Sequence, residues 1–194
     1  MKNLKQYIKE KLIINKNYRD TKIVEPKSFD ELRKIIEDRY DKLGPGTKQD
    51  PIDFNDIDVS NIDSFCNKYN TGIFEGTKFN YIDISYWDVS NVKEMRNMFY
   101  LSEKLKSVGD LSDWDVSKVT NMSSMFYECK ELESVGDISD WNVSKVTNML
   151  HMFYYCRELK SVGDISDWDV SNVINHVDMF DFCPIKREYK PKFK

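Results

Sequence analysis

Residues 114–140 read W-D-V-S-K-V-T-N-M-S-S-M-F-Y-E-C-K-E-L-E-S-V-G-D-I-S-D, and residues 141–167 read W-N-V-S-K-V-T-N-M-L-H-M-F-Y-Y-C-R-E-L-K-S-V-G-D-I-S-D. Two adjacent stretches that agree this closely are one unit written twice. The frame extends to both sides, since Trp87, Trp114, Trp141 and Trp168 are each 27 residues apart. A fainter copy, Ile57-Asp-Val-Ser-Asn-Ile-Asp-Ser-Phe65, precedes Trp87, and the last copy stops at Cys183-Pro184. This gives about four coils with atypical first and last members, as the end units of a stacked array must be where they meet solvent.

The apolar period changes inside the unit. Met122, Met125 and Phe126 fall at i, i+3 and i+4, as do Met95, Met98 and Phe99, which predicts a short helix or helical turn with one buried face. Leu132, Val135 and Ile138, followed by Trp141 and Val143, keep β-branched company and predict short extended segments, with Gly136-Asp137 and Ser139-Asp140 supplying turns. One unit cannot bury its own apolar positions, but coils stacked about 4.8 Å apart cover one another. The expected fold class is therefore an α/β repeat, a right-handed solenoid of about four coils.

A helical cap is expected in front of it. Ser28-Phe-Asp-Glu31 is a capping box, Phe29, Leu32, Ile36, Tyr40 and Leu43 line one helical face, and Gly44-Pro45 is the stop. An earlier stripe, Leu4, Ile8 and Leu12, predicts a further helix over 4–14 that packs on the cap or serves as a docking helix. The domain division is 1–50, helical extension and cap; 51–183, repeats; and 184–194, a basic tail read as a solvated terminus.

Composition fits a folded chain: apolar residues are 40% and aromatics 13%, with only 7 Gly and 5 Pro in 194 residues. No apolar run approaches the roughly 20 residues that cross a bilayer. The first residues show neither a signal peptide nor a lipobox, so the expected location is the cytoplasm, with the cell surface as the alternative. The net charge of -4 hides a division. Residues 1–43 and 184–194 each balance at +4, while residues 44–183 hold 12 basic and 24 acidic side chains, a balance of -12. Such a surface repels phosphate, so direct nucleic-acid binding is not expected, and could occur only at the two ends. The composition leaves the oligomeric state open.

Stacking turns repeated residues into rows. Asp110, Asp137 and Asp164 form one, Asp113, Asp140 and Asp167 a second, and Asp88, Asp115 and Asp169 a third, interrupted by Asn142. Each Asp could close its own turn, dock a protein partner with a basic surface, or contribute to a calcium site, although the loop spacing of calcium motifs is missing. Tyr100, Tyr127 and Tyr154 form an aromatic row suited to an interface. Lys106, Glu133 and Lys160 alternate in sign and are expected to compensate one another. The Met stripe reads as core, and Cys129, Cys156 and Cys183 as a ladder of buried reduced thiols, with Cys66 outside it. Of the two His, His176 stands where other units have Met, and His151 occupies a variable position. No P-loop, G-x-G-x-x-G, H-E-x-x-H or G-x-S-x-G string occurs. No enzymatic activity, cofactor or metal is expected.

The strings D-I-S-x-W-D-V-S-x-V-x-x-M-x-x-M-F, carried by Asp83–Phe99 and in variant form by Asp110–Phe126, Asp137–Phe153 and Asp164–Phe180, resemble the signature of the BspA-like leucine-rich-repeat proteins, whose repeats also occur in mycoplasma-type lipoproteins. The similarity covers about residues 25–183. It implies a leucine-rich-repeat solenoid that binds other macromolecules without catalysis, often at the bacterial surface. Three roles are compatible with it: an intracellular protein-binding module that presents its acidic ladder face, a phage- or mobile-element-encoded inhibitor of a host defence effector, and a bacterial surface adhesin.

Overall fold

A computed structural model of the chain describes residues 23–193. The helix expected over 4–14 lies outside the described residues. The described part opens with helix α1, Phe29–Leu43, in which the Ser28 hydroxyl accepts from the Glu31 amide at 3.2 Å. The Glu31 carboxylate reaches back one residue beyond the cap, accepting from the Lys27 amide at 2.9 Å. Leu32 and Ile36 are buried, whereas Leu43 is 62% exposed, so the apolar face ends a turn earlier than its sequence period implies. Gly44, at φ 75°, closes the helix by donating its amide to the Tyr40 carbonyl.

Regular strand is brief among the described residues: β1, Ile52–Asp53, pairs in parallel with β2, Ile82–Asp83. Beyond it, single parallel bridges join successive units. One series runs Ser64, Glu94, Asn121, Asn148, Asn175, and a second runs Tyr81, Ser107, Ser134. Equivalent residues therefore lie side by side on neighbouring units. The same register recurs in the interior, where the rings of Phe74, Phe99, Phe126, Phe153 and Phe180 stack at centroid distances of 5.2, 5.2, 5.5 and 5.6 Å. Trp114, Trp141 and Trp168 stack at 6.4 Å with planes 3° apart. Each Trp also donates its indole N–H to a carbonyl 30 residues back: Trp114 to Ile84, Trp141 to Leu111 and Trp168 to Ile138. The polar edge of a buried ring is thereby satisfied while its face supplies apolar area. Met95, Met98, Met122, Met125, Met149 and Met152 fill the space between the rows and are fully buried.

The Met-to-Phe segment is not a helical turn. Asn97, Ser124, His151 and Asp178 have φ between 51° and 58°, and Leu101, Glu128, Tyr155 and Phe182 lie between 54° and 61°. A left-handed residue at every fourth position breaks a right-handed helix and produces tandem tight turns instead. Alternate amides bond within the turn, such as Met98 to the Met95 carbonyl, and the others reach the next unit, such as Phe99 to Met125.

The thiols of Cys129 and Cys156 are free and buried, and donate to the carbonyls of Phe99 and Phe126 at 3.1 and 3.0 Å. Loss of water around them pushes both thiols well above their ordinary pKa. The tail is built into the structure and is not a free terminus. Ile185 is 4% exposed, Pro191 is buried, and the Tyr189 carbonyl accepts from the Ile165 amide at 3.1 Å. In preceding units that amide's counterparts bond the next coil, as Ile138 does with Val162. The tail thus replaces part of a missing coil.

Candidate interaction surface

The acidic rows divide into two kinds. In the first, Asp110, Asp137 and Asp164 each use Oδ1 to accept the amide of the Ser two residues on, at 3.0, 3.0 and 3.1 Å. Asp115 and Asp169 do the same for Ser117 and Ser171, as Asn142 does for Ser144. These are turns closed by a side chain, for which a short carbonyl-bearing residue is needed and a charge is not. The bonds to Ser139 and Ser166 stabilise the ionised form and hold the Asp137 and Asp164 carboxyls below the usual carboxylate range. The row also fits closely against the next unit. Gly136 and Gly163, both at φ 86°, sit where an added Cβ would collide with Oδ1 of Asp110 and Asp137. The D-x-S spacing that carries this arrangement occurs in the sequence at Asp83, Asp110, Asp137 and Asp164, and the first unit has Asp53-Phe-Asn55 in its place.

The second kind is Asp113, Asp140 and Asp167. All three are exposed, and none makes a hydrogen bond or ion pair with any of the described residues. The expected compensation along Lys106, Glu133 and Lys160 is replaced by other pairs. Lys106 meets Glu131 at 3.6 Å, while Glu133 faces Lys48 at 3.9 Å.

Tyr100, Tyr127 and Tyr154 stack at 4.8 and 5.1 Å and are half-buried. Desolvation, and then the charge of Glu128 beside it, raises the Tyr127 hydroxyl above its ordinary pKa, keeping it neutral. Phe182 meets Tyr154 edge-on at 5.8 Å and extends the aromatic row to the last coil. His151 packs beside the stacked Tyr127 and Tyr154 rings, tilted to both, with its Nε2 3.6 Å from Asp178, and His176 stacks on Phe193 at 4.0 Å. The two His are thus parts of separate aromatic contacts and do not converge. Among the described residues, no group of three or more His, Cys, Asp or Glu is placed to hold a metal ion. No helix among them is long and apolar enough to cross a membrane.

Comparison with curated proteins and with solved structures returns no match. A family match does cover residues 51–189, from β1 to the end of the terminal 3₁₀ turn at Tyr189, and so includes all of the stacked units. By that match the chain belongs to the family described as Mycoplasma protein of unknown function, DUF285.

Proposed function

We propose that this chain is a non-catalytic protein-binding module, a short right-handed leucine-rich-repeat solenoid of the BspA-like kind, which docks a partner with a basic surface through its acidic face. The in-register bridges and ring stacks at 27-residue intervals support the solenoid reading. One observation carries the docking reading. Asp113, Asp140 and Asp167 repeat a like charge on successive coils with no partner among the described residues, whereas the neighbouring Asp110 row gains an amide hydrogen bond at each position. No Lys or Arg among the described residues forms an ion pair with the exposed row. A partner's Lys and Arg would supply that pairing and be steered by the row. Tyr100, Tyr127 and Tyr154 offer rigid, amphipathic contact area to the same class of partner.

The experiment compares two triple variants in retention of a partner from source-cell lysate, followed by kinetics with the purified partner. Asp113→Lys/Asp140→Lys/Asp167→Lys should leave melting unchanged and slow association by about tenfold or more at low salt, with the salt dependence lost. Asp110→Asn/Asp137→Asn/Asp164→Asn should associate as the parent does. Unchanged association by the folded charge-reversal variant would contradict the proposal.

A further inference from the structure

The stacking hydrogen bonds have a direction. In the Met-to-Phe segment the amides of Met122, Ser124, Phe126 and Glu128 donate forward to the carbonyls of Asn148, Leu150, Met152 and Tyr154. Those of Met149, His151, Phe153 and Tyr155 then donate to Asn175, Val177, Met179 and Asp181. This segment of a coil therefore presents donors on its forward side and acceptors behind. At the rear end of the stack the acceptors are closed by α1, whose Arg33 donates to the carbonyls of Gly72, Ile73 and Glu75 at 2.7, 3.2 and 3.4 Å. At the forward end the equivalent amides, those of His176, Asp178, Phe180 and Phe182, have no acceptor among the described residues. Beside them the edge offers one carbonyl of the opposite sense at Ile174, whose counterparts Lys93 and Thr120 accept from the next coil.

This edge faces a cleft of about 640 Å³ between the last coil and the tail, lined among others by His176, Asp178, Phe180, Arg187, Lys190 and Lys192. Three of the exposed large apolar side chains, Ile174, Val177 and Phe182, belong to the same coil. We propose that the forward edge is a second docking site, which takes an acidic peptide segment of a protein partner. Its carbonyl oxygens accept from the amides of His176, Asp178, Phe180 and Phe182, and its carboxylates meet Arg187, Lys190 and Lys192. Backbone pairing at an open edge gives affinity, and the flanking side chains give selectivity.

The alternatives fit less well. Two copies meeting forward edge to forward edge would oppose donor to donor in this segment, and a head-to-tail copy would find the rear acceptors held by Arg33. Phosphates of a nucleic acid would accept from the amides, but they would gain nothing from Ile174, Val177 and Phe182. This site has the opposite charge preference to the Asp113 row, so the two readings stand or fall separately.

The test uses the intact chain and three fluorescent probes: a peptide of alternating Glu and Val, one of alternating Lys and Val, and an oligothymidylate. Of the three, the Glu/Val peptide alone should slow amide exchange at residues 176–182. Arg187→Glu/Lys190→Glu/Lys192→Glu should weaken its binding by about tenfold or more. Asp178→Asn, which suits the left-handed backbone there and removes a repelling carboxylate, should tighten it. The proposal is overturned if the Lys/Val peptide or the oligothymidylate slows exchange at 176–182 as well, if no Glu/Val binding to the folded chain is measurable, or if exchange at 176–182 is unchanged with the Glu/Val peptide bound.

Discussion

At position 142 the sequence has already made a test substitution. Asn142 stands where other units carry Asp, and its Oδ1 still accepts the Ser144 amide at 3.2 Å. The turn therefore needs the carbonyl-type oxygen and tolerates loss of the charge. Asp137→Asn should change stability little at neutral pH, while Asp137→Ala should cost about 1 kcal/mol, read from chemical denaturation. The acid limb gives the sign. Because the Asp137 and Asp164 carboxyls titrate below their unfolded values, their contribution is present above an ordinary Asp pKa of about 4 and is lost as pH falls through the folded value. An Asp137→Asn/Asp164→Asn variant should then lose less stability than the parent between neutral and acid pH. Gly136 is the other position of high consequence here. With φ 86° and Oδ1 of Asp110 against it, Gly136→Ala should lower stability by about 2 kcal/mol or more.

At the element scale, α1 was legible because its signals are local: a capping Ser, an amphipathic face and a terminal Gly. The tandem turns were not. Spacing at i, i+3 and i+4 is common to one turn of helix and to this arrangement, and only the positive φ at residues such as Asn97 and Leu101 separates them. Asn and Asp at 97 and 178 hint at a left-handed backbone, but Leu101 and Phe182 give no such hint, so composition favours the helix. The tail was obscured by its charge: Lys and Arg suggest a solvated end, while Ile185, Pro191 and Phe193 do the packing. Arg33 could not be identified from sequence as the closing group, because its acceptors lie 39 to 42 residues away. Removing its donors by Arg33→Met should cost about 2 kcal/mol, and Arg33→Lys should recover only part of this, since an ammonium cannot reproduce the guanidinium fork.

For the whole molecule, the 27-residue period was visible in the Trp spacing, and the acidic middle was visible in the charge count. Which acidic row lacks partners among the described residues was written there too, in the D-x-S spacing that Asp110, Asp137 and Asp164 have and Asp113, Asp140 and Asp167 lack, but its meaning emerges only with the turn that the Ser amide closes. The central claim is that each unit forms one layer, in register with the next. Tyr100 and Tyr127 test it directly, since their ring centroids are 4.8 Å apart and Tyr154 lies one layer further on. In-register positions on adjacent layers fall within the Cα range a disulfide bridges, while positions two layers apart stand about 10 Å from each other. The native thiols, buried and of raised pKa, should not compete under mild oxidation. Tyr100→Cys/Tyr127→Cys should therefore form an intramolecular disulfide in the folded chain, and Tyr100→Cys/Tyr154→Cys should remain reduced. A cross-link in the second pair, or none in the first while the chain is folded, would contradict the layered register.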